Sequence, residues 1–360
     1  MSTGMRKVSD VLKHRSTLVL LSVPILLGAV GVHFFASSLV VSLYTYFCVN
    51  LILVLALQMF MGNSGILNLT HVGWVGIGAY VSSILSVPPA VKSMGVPNMY
   101  PALVELSLPI VPAIFIGGVV AAAIAAIIAW PLMRLSNAVG VITLFATLIV
   151  MHVVMTQWDN VTNGPRTFFG VPFFTTLWIA LAGALVTLAA AHYFRESSLG
   201  LRLRASRDDR FAAYAMGVNV VQTRYFTFVL SAFVAGIGGG LWAHYITSFS
   251  PKAFYIVEIF MLLTMLVIGG AGSVSGAVAG TAIVTVLREV LRQVENTLSL
   301  SDMFNRDVYG LTELSMAVLM VIILIWRPGG VVGGREVAWP LLRARRRASE
   351  VASADVASDE

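Results

Sequence analysis

Residues 107–133 read SLPIVPAIFIGGVVAAAIAAIIAWPLM, a run without one Asp, Glu, Lys or Arg. As an α-helix rising ~1.5 Å per residue, it outreaches the roughly 30 Å hydrocarbon core of a bilayer. Lipid offers no partner to backbone N–H and C=O groups, so a run facing it must be a helix or a strand of a closed barrel. Barrel strands alternate apolar and polar positions over about ten residues, and this run does not alternate. It is read as a membrane helix, which sets the fold class: an all-α integral membrane protein, a polytopic helical bundle.

Outward from that run the pattern recurs. Ten spans are expected, at 18–36, 39–61, 73–91, 107–133, 138–158, 174–194, 223–247, 256–271, 274–293 and 310–326. The 360 residues are 58% hydrophobic and 11% charged, with mean hydropathy +0.88, where a soluble domain carries about 25% charge. That balance excludes nearly every cytosolic enzyme class. Cys48, the single cysteine, lies inside an apolar run, so neither a disulfide framework nor a cysteine metal cluster is available.

The net charge of +6 points to no nucleic acid, because the charges lie between the apolar runs. Seventeen of the 23 Lys and Arg residues fall before the first run, at Arg134, within 195–224, or from Arg327 onward. Cytoplasmic loops collect such residues, and an even number of spans returns both termini to that side. Both termini are therefore expected in the cytoplasm. Residues 1–36 share the basic start, apolar stretch and small residues of a signal peptide, yet the run from Leu18 is long enough to span, and removing it would spoil the agreement between parity and charge. The expected organisation is a segment at 1–17, a transmembrane domain at 18–327 with a cytoplasmic loop at 195–222, and a basic, disordered tail at 328–360.

Between the second and third spans stands GNSGILNLTHVGWVGIGAY (62–80). Irregular backbone at membrane depth survives only where protein or a wet cavity satisfies it, and transporters bind substrate at such helix breaks. Asn63, Ser64, Asn68, Thr70 and His71 are accordingly candidate pathway residues, with Gly62, Gly65 and Gly73 as hinge or packing positions. A short cytoplasmic turn with helix caps reads the same letters equally well. His71 without a neighbouring Asp, Glu, Cys or His reads as a hydrogen-bonded structural group rather than a proton relay or metal ligand. Thr143 and Thr147, a turn apart, are further pathway candidates, although threonines in membrane helices commonly bond their own backbone.

A second glycine cluster places Gly272, Gly276 and Gly280 at every fourth residue, a face that admits another helix closely. Gly118, Ala122 and Ala126, and Gly236 with Gly240, read the same way. Arg288, Glu289, Arg292 and Glu295 follow at helical spacing and read as a self-satisfied network rather than a charge pathway. In the loop 158–172, Trp158, Phe168 and Phe169 read as interface anchors or as a docking surface. Within 195–219, Asp208 and Asp209 are expected to cap a short helix over Phe211–Met216 that Gly217 ends. Such a helix has nothing of its own to pack on and needs a partner surface.

The segments 62–80, TNGPRTFFGVP (162–172), SSLGLRLRASRDDRFAAYAMGVN (197–219), FVLSAFVAGIGGGLWA (228–243) and VIGGAGSVSGAVAGTAIV (267–284) together resemble the permease subunits of branched-chain amino acid ABC transporters, of the LivM type. The resemblance implies a bacterial inner-membrane importer subunit paired with a homologous permease, two cytoplasmic ATPases and a periplasmic binding protein. It implies that the 197–219 segment is the coupling helix that docks on the ATPase, with Asp208, Asp209, Phe211, Ala212, Ala213 and Gly217 as its coupling residues. Ala212, Ala213 and Gly217 fit the Glu-Ala-Ala-x-x-x-Gly pattern of importers, and Phe211 stands in the Glu place. Asn68 and Thr70 stand where many relatives have Ser and Gly, and relatives of this architecture also carry urea, short amides or other small carboxylates. No G-x-x-x-x-G-K-[ST] phosphate cradle occurs in the sequence, so ATP hydrolysis is expected in the partners. No catalytic residue, metal or cofactor is expected of this chain. A secondary transporter or channel working alone would also suit the glycine breaks, whereas a membrane enzyme would need an acidic or histidine cluster that the sequence lacks.

The charge distribution predicts Gly4, Arg207 and Glu350 in the cytoplasm and Gly164 and Lys252 outside. Reporter fusions at these five positions check it, and an external signal at Arg207 would overturn the orientation.

Overall fold

The structure, a computed structural model, describes residues 2–135, 137–300, 310–327, 329–333 and 336. The chain begins with α1 (Ser2–Phe35), turns at Ala36–Ser37 and continues as α2 (Ser38–Leu57). A π-helical turn, Gln58–Gly62, and an irregular stretch lead into α3 (His71–Ser86). Two short helices, α4 (Pro89–Gly95) and α5 (Pro101–Glu105), precede α6 (Ile110–Leu132), α7 (Asn137–Gln157) and the single turn α8 (Asp159–Thr162). Then come α9 (Leu177–Glu196), α10 (Ser198–Asp208), α11 (Arg210–Ala215) and α12 (Val220–Ile246). The last helices are α13 (Ile256–Gly269), α14 (Val274–Leu300) and α15 (Leu311–Trp326). Among the described residues the β content is one isolated bridge, Phe168 to Phe249.

Among the described residues seven helices are long and apolar enough to cross a membrane: those containing Thr17–Phe35, Ser38–Gly62, Ile110–Leu132, Ala138–Gln157, Leu177–Glu196, Val220–Ile246 and Val274–Thr297. The other three expected runs form shorter helices, α3 with 16 residues, α13 with 14 and α15 with 16. The run expected to reach residue 91 stops at Ser86 because Pro88 excludes the helical region for Val87, which is extended at ψ 134°. Past Val87 the chain folds outside the helix. Lys92, expected as a loop charge, is buried, with its ammonium donating to the carbonyls of Leu103 (3.0 Å) and Leu106. Burial pushes that ammonium below its ordinary value.

α3, α6 and α12 make the closest group, with α2 against α9 and α13 against α14 beside it. Small residues set that closeness. A Cβ on Gly78 would lie 2.0 Å from the Gly236 carbonyl, and one on Gly117 would lie 2.8 Å from the Gly78 carbonyl, so the three backbones touch. The buried stripe of α6 is Gly117, Gly118, Ala121, Ala125 and Ala129; of the expected packing positions Gly118 is buried against α12, where a Cβ would lie 2.7 Å from Ile237, while Ala122 and Ala126 sit one residue away at the stripe's edge. In an alanine-rich run every face is small, and the partner helix chooses among them.

Near the C-terminal end of α12, Tyr80, Phe168, Trp242, Phe249 and Phe254 form an aromatic cluster, with Tyr80 5.0 Å from Phe249 and Trp242 5.2 Å from Phe254 between centroids. Phe168 is therefore core rather than an interface anchor, while Trp158 and Phe169 are exposed. The chain also stays packed past the expected boundary at 327. Val331 and Val332 N–H groups donate to the carbonyls of Ile268 and Gly269 (2.8 and 3.1 Å), capping α13. Arg343–Arg347 and the acidic end of the expected tail lie outside the described residues.

Replacing Gly78 with Val should force α3 off α12, at a cost of about 1–3 kcal/mol or more. It should lower the melting temperature in detergent, whereas Gly31→Ala, with nothing within 4 Å of the added Cβ, should leave it unchanged.

Candidate functional site

α2 does not end cleanly. Its last turn widens by one residue per turn over Gln58–Gly62, and a widened turn misplaces the carbonyls that ordinary helix would pair. Asn63 answers them: its Nδ2 donates to Met59 O (3.0 Å) and Gln58 O (3.3 Å). The chain then reverses at Gly65, φ +70°, a conformation that favours glycine. Ser64 Oγ accepts from Ile66 N–H (3.1 Å), and Thr70 Oγ1 donates to Asn68 Oδ1 (2.7 Å). α3 opens at His71, whose Nε2–H donates 3.0 Å across to Leu53 O in α2. The structure thus gathers Asn63, Ser64, Asn68, Thr70 and His71 into one knot, each buried to 3% exposure or less.

The knot is not closed. Asn63 Oδ1, Asn68 Nδ2, His71 Nδ1, both polar atoms of the Gln58 amide and the Tyr80 hydroxyl are buried and meet no hydrogen-bond partner among the described residues. Buried polar atoms are nearly always paired, so a line of unused donors and acceptors along α2, the break and α3 can take up water or a polar solute. Among the described residues no three His, Cys, Asp or Glu stand together as a metal site.

Thr143 and Thr147 lie apart from this knot in bonding. Their hydroxyls donate to Val139 O and Thr143 O within α7 (2.8 Å each). α7 meets α3 further along, at Met151 and Met155, against Gly73 and Gly76. The second glycine cluster divides. Gly272 lies in the turn before α14, while Gly276 and Gly280 face the backbone of α13 at Gly269 and Met265. That turn reaches the break, since a Cβ on Gly62 would lie 2.2 Å from Ala271 O.

The expected charge network on α14 also divides. Glu289 and Arg292 form a two-bond pair (2.9 and 3.0 Å), but Arg288 Nη1 turns to Tyr46 OH on α2 (2.6 Å), and Glu295 accepts from Gly310 N–H, Thr312 N–H and the Thr312 hydroxyl at the start of α15. Adjacent helical positions point about 100° apart, so neighbours in sequence serve different partners.

In the 195–219 loop Asp209, not Asp208, is the cap. Its Oδ1 accepts from Phe211 and Ala212 N–H (2.8 and 3.0 Å), while Asp208 ends α10. α11 stops where expected: Gly217 has φ +79°, and Val218 N–H returns to Ala213 O (3.0 Å). Of the two alanines, Ala213 is buried against its own chain and Ala212 is exposed. Phe211 is 85% and Met216 84% exposed, so α11 offers two large apolar side chains outward. Beneath it, burial and the charge of Arg195 push the Arg204 guanidinium below its ordinary value. The sequence marked Arg207 only as a topology position and not for its contact, in which Nη1 donates to Gly62 O (2.7 Å), and it did not single out Glu336, which caps α14 and pairs with Arg195 (2.5 Å). Arg207 is one of five arginines in the loop, and no spacing marks it.

The profile of the family described as "Branched-chain amino acid transport system / permease component" matches residues 39–326. The chain is 26% identical over 344 residues to the high-affinity branched-chain amino acid transport system permease protein LivM of Escherichia coli (strain K12), covering 86% of this chain and 74% of that one. It is 25% identical over 302 residues to LivH, the permease protein of the same system in Salmonella typhimurium, covering 78% of this chain and 89% of that one. No solved structure matches.

If Asn63 Nδ2 holds the widened turn, Asn63→Leu should leave two carbonyls unpaired at about 1–3 kcal/mol and lower the melting temperature by a few degrees. Asn63→Asp, which accepts but cannot donate, should be no better, and a wild-type melt for either would contradict the assignment.

Proposed function

The chain belongs to the permease family of branched-chain amino acid transport systems, and on that premise we propose that it is the membrane-spanning subunit of an ATP-driven importer. It works beside a homologous permease, with two cytoplasmic ATPases and a periplasmic binding protein, in the inner membrane of a bacterium. Its solute is a branched-chain amino acid or a related small polar molecule. Ten helices crossing with both termini inside agree with the bias of Lys and Arg.

The observation that carries this reading is α11. A six-residue helix, capped at Asp209 and stopped at Gly217, holds Phe211 and Met216 almost wholly exposed. Large apolar side chains on a rigid, capped support are the chemistry of a docking contact. Phe211, where importers carry Glu, makes that contact apolar rather than ionic, and Ala212 lets the partner approach. The solute pathway is assigned to the break. Its unused polar atoms, at Gln58, Asn63, Asn68 and His71, with the Tyr80 hydroxyl further along α3, supply both donors and acceptors for a zwitterion or an amide. Thr143 and Thr147, bonded within α7, are assigned no more than a lining role.

Phe211→Asp with Met216→Asp should abolish co-purification of the ATPases and leucine uptake while insertion persists, because two charges would be buried without partners. Gly217→Val should weaken both through strain of about 1 kcal/mol. Leucine uptake at wild-type rate by these variants, or by the purified chain with no ATPase, would contradict the proposal and favour a transporter working alone.

A further inference from the structure

The 197–219 loop is built as a lever. Its first corner is rigid: Ser197 Oγ accepts from Gly200 N–H (3.2 Å), and Arg204 Nη2 donates to Arg195 O (3.0 Å). Arg195, closing α9, is clasped by Glu336, whose carboxylate also accepts from Val274 N–H (2.7 Å), Ser275 N–H (3.1 Å) and Ser275 Oγ (2.8 Å). A carboxylate at a helix start and a guanidinium beside it, 14% and 10% exposed, make a charge-assisted anchor. From that anchor α10 runs eleven residues, about 16 Å, with Leu203 and Ser206 buried beneath it.

The far end of the lever carries two things. One is α11, with its exposed apolar pair. The other is Arg207, whose Nη1 donates to Gly62 O at 2.7 Å and whose stem lies across Gly65, where a Cβ would come 3.0 Å from Arg207 Cγ. Gly62 O is among the last carbonyls of the widened helix, where a cation is favoured. The glycine at 65 supplies both the left-handed turn and the room for the arginine.

We propose that Arg207 is the positioning residue through which movement of the 197–219 loop reaches the α2–α3 break, with the Arg195–Glu336 clasp as the lever's fixed end. The inference rests on the importer reading above. Any displacement of α11 by a partner pivots α10 about Arg195, and the contact at its moving end is a hydrogen bond to the backbone of the break itself. A bond of this kind is either made or lost, which lets the loop bias two arrangements of the break.

The test uses the complete complex with its ATPases, in a Cys48→Ala background with Leu67→Cys, a partly exposed position in the break, as a thiol probe. The rate of maleimide labelling is compared between nucleotide-free and ATP–vanadate-trapped states. The parent should show a clear difference. Arg207→Met, which keeps the stem over Gly65 and removes the donors, should shrink that difference about tenfold, as expected for losing one charge-assisted hydrogen bond, with ATPase association and nucleotide trapping retained. Arg207→Lys, which can still donate to Gly62 O, should restore part of it. A merely structural arginine would change yield or melting temperature and leave the difference between states intact. The full difference in Arg207→Met overturns the inference alone. No difference in the parent overturns it together with the assignment of the break, and a chain that never associates with ATPases overturns the importer reading itself.

Discussion

Backbone carbonyls released inside a membrane bundle must find partners within the protein, because lipid can supply none. The widened turn at Gln58–Gly62 creates that demand, and much of the neighbouring architecture answers it. Asn63 returns to Gln58 and Met59, His71 reaches back to Leu53, and Arg207 arrives from another part of the chain to take Gly62. A helix break here is thus a place where distant segments are obliged to meet. That obligation makes it a suitable site for both solute contact and mechanical input.

The turn between α13 and α14 obeys the same rule with different residues. The carbonyls ending α13 are taken by Val331 and Val332, and the N–H groups starting α14 are taken by Glu336, which then recruits Arg195. Ala271 in that turn lies against Gly62 of the break. Four segments far apart in sequence therefore share one end of the bundle: the break, the arginine-rich loop, the glycine turn and the stretch after α15. The rest of the bundle is held by close backbone contact. Gly78, Gly117 and Gly236 bring α3, α6 and α12 together where no hydrophobic drive between helices operates in lipid.

Much of this was legible from residue types alone, for reasons that are local. Apolar runs of sufficient length can only be helices in lipid, so the fold class followed from composition and continuity. Gly217 as a helix stop and the clustering of Asn63, Ser64, Asn68, Thr70 and His71 at a break followed from turn and cap chemistry. Asp209 rather than Asp208 as the cap, and Ala213 turned inward beside an exposed Ala212, lay below the resolution of such rules, since one residue of register rotates a side chain by about 100°.

The sequence by itself determined that this chain is an all-helical membrane protein with a glycine-rich break and an arginine-rich loop, because those properties depend on how each short segment meets lipid or water. Only the tertiary structure decided which small residues of α6 face α12, that Phe168 belongs to an aromatic core, and that Arg207 and Glu336 are the residues tying loop to bundle. These are pairings across 62 to 145 positions of chain. A backbone carbonyl such as that of Gly62 looks the same at every residue until folding has brought its partner within 2.7 Å.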